Sequence, residues 1–299
     1  MVTPARPGGA RLPARAGAGQ QATHGARVTE DDGMTPRAQT PPFSRIPPAS
    51  QPRSTSQARS FDAAAAVYAD SRPSYPPSLL DAVEELAGFG LAGTRVADVG
   101  AGTGLGTALL HARGARVTAV EPGAGMAAEF RRALPGVPLV RGDGDRLPLR
   151  SASCDLVTYA QAWHWTDPER SVPEARRVLR PGGALALWWN DSDATVPWTA
   201  EQDARLRRFF GAAKAPAVTG GFARELPVGP DFTTRLLPWS RRVSLDTHLA
   251  NLGSYSDFLM IGPEAARVFL DPERERLAAL FPDGTVEERY VVSLAVARL

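Results

Sequence analysis

The residues with the clearest capacity for chemistry are glycines that follow a short apolar stretch. The segment reads Val96-Ala97-Asp98-Val99-Gly100-Ala101-Gly102-Thr103-Gly104-Leu105-Gly106. Because glycine lacks a Cβ atom, such a turn adopts unusual backbone angles and lets a ligand approach the main chain closely. A strand that runs into a glycine-rich turn and then into a helix is typical of sites for nucleotide-like cofactors. The pattern alone does not choose among those cofactors.

Two acids follow the glycine turn at positions that suit a nucleoside. Glu121 ends a second apolar stretch, where a carboxylate can accept hydrogen bonds from both hydroxyls of a ribose. The alternative is an ordinary solvated acid at the end of a strand. Asp143 and Gly144 lie in a glycine-rich turn, where the Asp can accept the exocyclic amine of adenine and the next backbone N–H can donate to the ring. Turn chemistry alone also explains an Asp at this position.

A nicotinamide cofactor is the main competing interpretation. Gly100, Gly104 and Gly106 also fit the G-x-x-x-G-x-G turn of short-chain dehydrogenases. Those enzymes need a Tyr-x-x-x-Lys pair to move a proton, but the only lysine, Lys214, is preceded four residues earlier by Phe210. The G-x-G-x-x-G pattern of other dinucleotide sites lacks its third glycine. An NAD(P)-dependent oxidoreductase therefore stays as the less favoured alternative.

Short apolar stretches alternate with amphipathic segments around these residues. The expected strands are Arg95–Val99, Arg116–Val120, Pro138–Val140, Asp155–Ala160, Ala184–Trp189, Phe232–Leu245 and Val286–Leu299. A capping box from Ser171 to Glu174 predicts the start of the helix that ends before Pro181. Strands that alternate with helices predict an α/β fold with a mostly parallel sheet and helices on both faces.

The basic charge of the chain is concentrated near its N-terminus. The formal net charge is +2 and the isoelectric point is about 9.0. Residues 1–60 contain eight Arg and three acids, whereas residues 61–299 contain 26 basic and 29 acidic side chains. Binding to nucleic acid calls for a basic folded surface. The charge distribution therefore predicts a small-molecule partner and no nucleic acid.

The first 59 residues differ in composition from the rest of the chain. They contain nine Pro, six Gly and a single aromatic residue, Phe43. Such a segment buries too little apolar surface to offset the entropy of ordering it. We therefore expect residues 1–59 to be a disordered tail and residues 60–299 to form one domain. No apolar run is long enough for a membrane span or a secretory signal, which predicts a cytoplasmic protein.

Metal chemistry is not expected from this sequence. The single cysteine, Cys154, lies in an apolar stretch and is interpreted as a buried structural thiol. A metal site at this edge of the sheet would need carboxylates at the end of the fourth strand, where Ala160 and Gln161 stand. Asp191 and Asp193 have no evident partners in the sequence.

The glycine turn, Glu121 and Asp143, in this order, resemble the class I S-adenosylmethionine-dependent methyltransferases. The closer resemblance is to the small-molecule group that includes ubiquinone/menaquinone and trans-aconitate methyltransferases. It extends over about 130 residues, from Phe61 to Asn190, and is carried further by three stretches: Tyr68–Pro76, Gln161–Asp167 and Glu174–Gly183. These motifs together are specific for the cofactor and the fold, and only weakly specific for the acceptor.

The resemblance implies a role for each matching residue. The methionine part of the cofactor would be held by Asp98 and by the turn that contains Gly100, Gly102 and Gly104. The remaining cofactor contacts would be Glu121 at the ribose, Asp143 and Gly144 at the adenine edge, Met126 on the adenine face, Arg72 at the methionine carboxylate and Gln161 beside them at the end of the fourth strand.

His164 is the candidate catalytic residue. It lies between Trp163 and Trp165, next to the point where ligands bind in sheets of this type. An imidazole there can take a proton from an oxygen or nitrogen acceptor. Equally, the Trp-His-Trp stretch can shape the cofactor pocket, with His164 bonded to the backbone. Both interpretations stay open at this point.

The sequence thus predicts a seven-stranded, Rossmann-like sheet whose last strand is antiparallel. A helical lid is expected from insertions near residues 191–230 and 247–280. The expected reaction is methyl transfer from S-adenosylmethionine to a small-molecule acceptor. The alternatives are the oxidoreductase and a cofactor-binding protein of this fold that does not methylate.

Overall fold

The computed structural model describes residues 72–211 and 224–299. The expected disordered tail lies outside the described residues, and so does part of the first predicted lid segment. The helices are α1 (Ser78–Ala87), α2 (Leu105–Ala112), α3 (Ala124–Ala133), α4 (Pro168–Val178), α5 (Pro197–Phe210), α6 (Leu245–Gly253), α7 (Ser256–Ile261) and α8 (Pro263–Leu280). The strands are β1 (Arg95–Val99), β2 (Arg116–Glu121), β3 (Leu139–Arg141), β4 (Cys154–Ala160), β5 (Leu179–Ser192), β6 (Thr233–Ser244) and β7 (Thr285–Arg298).

The seven strands form one sheet in the order β3-β2-β1-β4-β5-β7-β6. The first five strands are parallel, and β7 runs antiparallel to both β5 and β6. The predicted mostly parallel sheet with a final antiparallel strand is confirmed. The strand order reverses between β1 and β4, and ligands bind outside the carboxyl ends of strands at such a switch point.

Both faces of the sheet are covered, as expected when β1 is a nearly continuous apolar run. The adjacent residues Trp188 and Trp189 of β5 point to opposite faces and belong to two separate apolar clusters. Cys154 is buried at the start of β4, and burial raises the pKa of its thiol. The interpretation of Cys154 as a buried structural thiol is confirmed.

The start predicted for α4 is wrong. The helix begins at Pro168, and the side chain of Asp167 caps it by accepting a hydrogen bond from the N–H of Glu169 at 3.1 Å. Proline suits the first helical position because the N–H that it lacks would have no partner there. Ser171 lies inside the helix, and Glu174 accepts from the N–H of Leu147 at 2.8 Å rather than closing a capping box.

The helices after β5 form a cluster of their own. Their shared apolar core consists of Leu206, Leu252, Phe258, Ala266 and Phe269. The predicted lid segment near residues 247–280 is helical and contains α6, α7 and α8. Between α6 and α7, Ser254 donates its hydroxyl to the carbonyl of Asn251 at 2.6 Å, and Tyr255 adopts an extended backbone. That this cluster acts as a lid stays a prediction.

None of the helices in the described part of the chain combines the length and the apolar composition that a membrane crossing requires.

Candidate functional site

The glycine turn follows directly on β1, and its glycines have positive φ angles. Gly100, Gly102 and Gly104 have φ values of +69°, +58° and +98°. A Cβ atom on Gly100 would lie 2.5 Å from Cβ of Ala162, and one on Gly104 would lie 2.8 Å from a methyl carbon of Leu134. A Cβ atom on Gly102 would meet nothing within 4 Å. The first and third glycines are thus packed against the protein, and Gly102 borders open space that a ligand can enter.

Glu121 joins the end of β2 to this turn. Its Oε2 accepts the N–H of Gly102 at 2.8 Å, and its Oε1 accepts the N–H of Gly123 at 2.7 Å. The side chain is buried, and Met126 is buried in the first turn of the helix that follows. Because each carboxylate oxygen can accept a second hydrogen bond, Glu121 can still receive ribose hydroxyls. The contacts of Glu121 and Met126 with a cofactor stay predictions.

Asp98 lies beneath the turn and is fully buried. Its Oδ2 accepts the hydroxyl of Thr107 at 2.5 Å, and its Oδ1 accepts the hydroxyl of Thr158 at 2.8 Å. Burial raises the pKa of Asp98 to about 6, although both hydrogen bonds oppose the rise. The carboxyl group therefore braces β1 against α2 and β4. Its direct contact with the methionine part of the cofactor stays a prediction.

Asp143 forms a turn after β3. Its Oδ1 accepts the N–H groups of Asp145 and Arg146, both at 3.0 Å, so the turn chemistry that the sequence allowed is present. The residue is exposed and retains a second carboxylate oxygen for a ligand. Gly144 is buried, and a Cβ atom there would lie 2.8 Å from Cγ2 of Thr166. The adenine role of Asp143 and Gly144 remains a prediction.

Gln161 is held at the end of β4 in an uncommon conformation. Its φ is +57°, which is rare for residues other than glycine and costs on the order of 1–3 kcal/mol. Its N–H donates to the carbonyl of Trp188 at 2.9 Å, and its side-chain Nε2 donates to the carbonyl of Asn190 at 3.0 Å. Such strain is concentrated at functional sites. The position supports a role for Gln161 without identifying its ligand.

The Trp-His-Trp stretch forms a short 3-10 helix, Trp163–Trp165. Trp163 is buried and packs edge-on against Tyr159, with ring centroids 4.8 Å apart. Trp165 is 38% exposed, and the ring of the exposed His164 is tilted against it at 5.1 Å. Trp163 is thus a core residue, whereas His164 is accessible. Both interpretations of His164, as a base and as a pocket-shaping residue, stay open.

Arg72 contacts the predicted lid. Its Nη2 donates to the carbonyl of Ser254 at 3.0 Å, and its guanidinium lies 4.8 Å from the ring centroid of Tyr255. Both partners lie between α6 and α7. The contact of Arg72 with the methionine carboxylate stays a prediction.

Three threonines of the site were missed by sequence reasoning. Thr107 and Thr158 hold Asp98, and only the fold brings Thr158 to it from 60 residues away. Thr103 stands within the glycine turn, and this position in the motif is the sequence signal that could have identified it. It is buried, and its Oγ1 has no partner within the described residues. A buried hydroxyl without a partner points to a ligand or water that completes it.

The residues present fit an adenosyl cofactor. Open space at Gly102, the hydroxyl of Thr103, which has no partner among the described residues, and the carboxylate of Glu121 adjoin one another at the carboxyl end of β1 and β2. No group of three or more His, Cys, Asp or Glu side chains among residues 72–211 and 224–299 is arranged to hold a metal ion.

Two surface clefts lie away from these residues. One of about 620 Å³ is bordered by Gly93, Asp155 and Arg180, and one of about 590 Å³ by Arg95, His111 and Arg116. Both open at the amino-terminal ends of the parallel strands. Since ligands of such sheets bind at the carboxyl ends, we assign the site to the glycine turn rather than to either cleft.

A family model described as "Methyltransferase domain" matches residues 97–187. An uncharacterized methyltransferase of Mycobacterium tuberculosis is 45% identical over 141 residues, which are 47% of this chain and 56% of that protein. The chain thus matches little more than half the length of this curated relative. An uncharacterized methyltransferase-like protein of Schizosaccharomyces pombe is 30% identical over 227 residues, which are 74% of this chain and 87% of that protein.

The fold is shared with solved structures. A candidate type II methyltransferase from Anaeromyxobacter dehalogenans superposes with a TM-score of 0.57 at 27% identity. The superposition covers 76% of this chain and 97% of the other.

Proposed function

This chain belongs to the methyltransferase family, and we propose that it transfers a methyl group from S-adenosylmethionine to a small-molecule acceptor. The observation that carries the proposal is the hydrogen bond between Glu121 and the N–H of Gly102. It joins the acid expected at the ribose to the one glycine of the turn that borders open space. A cofactor with both an adenosyl group and a methionine tail would lie across this junction.

The protein contributes binding and positioning. When bound, the cofactor would supply an activated methyl group on a sulfonium sulfur. The acceptor would take this methyl group in line, with the sulfur as the leaving group. Glu121, Asp143 and Met126 would hold the adenosyl part and Gly102 the methionine part. Holding the reactants in line supplies much of the rate of such a transfer. The helices after β5 would exclude water as a lid. The accessible imidazole of His164 would take the proton that an acceptor hydroxyl or amine loses.

The small size of the acceptor is supported by charge and by relatives. Residues 61–299 carry 26 basic and 29 acidic side chains, which do not provide the excess positive charge typical of nucleic-acid binding. A demethylmenaquinone methyltransferase of Beutenbergia cavernae is 37% identical over 107 residues, and a malonyl-[acyl-carrier protein] O-methyltransferase of Methylococcus capsulatus is 38% identical over 136 residues. Because these two acceptors differ, an acceptor screen should include quinols and carboxylic acids.

Titration calorimetry of the full chain with S-adenosylhomocysteine and, separately, with NADH tests the proposal. We expect S-adenosylhomocysteine to bind and NADH not to bind. Binding of NADH without S-adenosylhomocysteine would replace the methyltransferase proposal by the oxidoreductase. If S-adenosylhomocysteine binds but no acceptor in the screen gives S-adenosylhomocysteine from S-adenosylmethionine, the cofactor-binding protein that does not methylate becomes the better description.

A further inference from the structure

One face of α6 is fastened to β7 by buried polar contacts. His248 and Asn251 are three residues apart, so they lie on the same face of the helix. Nδ1 of His248 lies 2.7 Å from Oε1 of Glu288, and Nδ2 of Asn251 donates to the hydroxyl of Tyr290 at 3.2 Å. Glu288 and Tyr290 are two residues apart and share one face of the strand. The matched spacing fixes the register of α6 on the sheet.

The same face of α6 continues to the residues that hold Arg72. Ser254 follows Asn251 by three residues, and its hydroxyl donates to the carbonyl of Asn251 at 2.6 Å. The carbonyl of Ser254 in turn accepts Nη2 of Arg72 at 3.0 Å. The last carbonyls of a helix lack helical partners and attract cations, so this is a favourable place for a guanidinium. Through these contacts, the position of α6 on β7 determines the position of Arg72.

A second set of contacts leads from Tyr290 to the end of β4. The ring of Tyr290 stacks on Trp239 with centroids 5.2 Å apart and an interplanar angle of 24°. Nε1 of Trp239 donates to Oδ1 of Asn190 at 2.9 Å, and the carbonyl of Asn190 accepts Nε2 of Gln161 at 3.0 Å. Contacts therefore lead from Tyr290 to both Arg72 and Gln161, two residues that the family resemblance assigns to the cofactor.

We propose that Asn251 and Tyr290 are positioning residues for the cofactor. Their hydrogen bond sets the place of Ser254 and Tyr255, and these two residues would direct Arg72 to the methionine carboxylate. The affinity for S-adenosylmethionine thus depends on how α6 sits on β7. This inference rests on the proposed function, because Arg72 has a ligand to position only if the cofactor binds.

A double-mutant cycle with S-adenosylhomocysteine tests the inference. Tyr290→Phe removes one hydroxyl and leaves the ring stacked on Trp239, and we expect it to raise the Kd for S-adenosylhomocysteine roughly three- to tenfold, as for one lost hydrogen bond. In the Arg72→Ala background the same substitution should change the Kd less than twofold, since the residue that it positions is gone. Asn251→Ala should repeat this pattern.

A control variant separates positioning from general loss of stability. Glu84 in α1 accepts the N–H of Leu91 at 2.8 Å and Nη2 of Arg113 at 2.6 Å, and none of these three residues belongs to the contacts that lead to Arg72. Glu84→Gln should lower the Tm and change the Kd for S-adenosylhomocysteine less than twofold. In kinetics with S-adenosylmethionine, Tyr290→Phe should raise KM with little change in kcat.

The outcomes distinguish this inference from the function on which it rests. If the unmutated protein binds S-adenosylhomocysteine but Tyr290→Phe has the same effect with and without Arg72, or Arg72→Ala has no effect, only the positioning inference is wrong. If Glu84→Gln weakens binding as strongly as Tyr290→Phe, the effect is one of stability and the inference is again wrong. If the unmutated protein does not bind S-adenosylhomocysteine, both proposals fail.

Discussion

Acids are buried both in the glycine-turn region and where the helices after β5 pack against β7, but the two regions treat them in opposite ways. Asp98, beneath the turn, has only hydroxyl partners, and burial raises its pKa to about 6. Burial alone would also raise the pKa of Glu288, but the hydrogen bond with His248 and the charge of Arg241 hold it below its usual value. Asp98 in the glycine-turn region therefore has no cationic partner among the described residues, whereas Glu288 is balanced by neighbouring basic side chains.

We interpret this difference as one between a region that binds a ligand and a region that supports it. An acid that lacks a cation in the protein favours a cation brought by a ligand, and the methionine tail of the cofactor carries an ammonium group. Acids that are already paired, such as Glu273 with Arg205, fasten helices to one another instead. We therefore expect changes at the turn to affect the cofactor most, and changes in the helices to act through stability and position.

The largest effect should come from Gly100→Ala. The new Cβ would lie 2.5 Å from Cβ of Ala162 at a φ of +69°, so the turn must move. Overpacking costs about 1–3 kcal/mol, and a left-handed backbone costs about 1–2 kcal/mol more. We expect the free energy of unfolding to fall by about that sum and binding of S-adenosylhomocysteine to be lost in calorimetry.

Gly102→Ala is the matched control for this prediction. Its φ is also positive, but the new Cβ meets no protein atom within 4 Å. Stability should fall by only about 1–2 kcal/mol. If the cofactor passes close to this backbone, binding should nevertheless weaken strongly. Normal affinity in the Gly102→Ala variant would show that the open space at Gly102 is not the cofactor site.

The variant His164→Ala tests whether the glycine-turn region also contains a general base. If the exposed imidazole is a general base, turnover should fall roughly a hundredfold or more while the Kd for S-adenosylhomocysteine stays unchanged. A parallel fall in cofactor affinity would identify a pocket-shaping residue. Turnover and affinity both near those of the unmutated enzyme would remove His164 from the mechanism.

Glu121→Ala should weaken binding of S-adenosylhomocysteine by about 1.5–3 kcal/mol, as for hydrogen bonds to a charged group. The structure adds a second cost, because the N–H groups of Gly102 and Gly123 lose their acceptor. The Tm should therefore fall as well. Full affinity in a folded variant would mean that the ribose is held by other groups.

The turn region was largely predictable because its signals are local. The carboxyl end of one strand, a glycine-rich turn and the next helix are contiguous in sequence, so the residue pattern alone suffices to place Gly100–Gly104. Glu121 required one further step, that the next parallel strand ends at the same edge. The hydroxyl partners of Asp98 could not be foreseen, since Thr158 reaches it from another strand.

The contacts of the later helices were not predictable, because they join residues far apart in sequence. His248 has no motif around it that marks it as a candidate, and Glu288, 40 residues later, has none either. The break between α6 and α7 at Ser254 was not predictable either, because a side-chain bond to Asn251 leaves no trace in the hydrophobic pattern. Arg72 was assigned to the cofactor by resemblance, and its contact with Ser254 required the fold.

The effect of Asp98→Asn on the free energy of unfolding should change gradually with pH. The pKa of Asp98 is raised from 3.8 to about 6 in the folded protein. Between those values the unfolded chain loses its proton while the folded protein keeps it, so the free energy of unfolding falls as the pH rises through this window. The non-titrating Asp98→Asn variant should therefore gain about 2–3 kcal/mol relative to the unmutated protein between pH 4 and pH 7 in denaturant titrations.

Glu288→Gln should show the opposite trend and so tests the comparison from its other side. Because the pKa of Glu288 is lowered below 4.5, its ionised form contributes stability above that pH and loses the contribution as the pH falls through the folded value. The variant should therefore lose stability relative to the unmutated protein as the pH rises from below the lowered pKa of Glu288 to above 4.5. Curves of the same sign for both variants would show that the two regions do not differ in how they hold their acids.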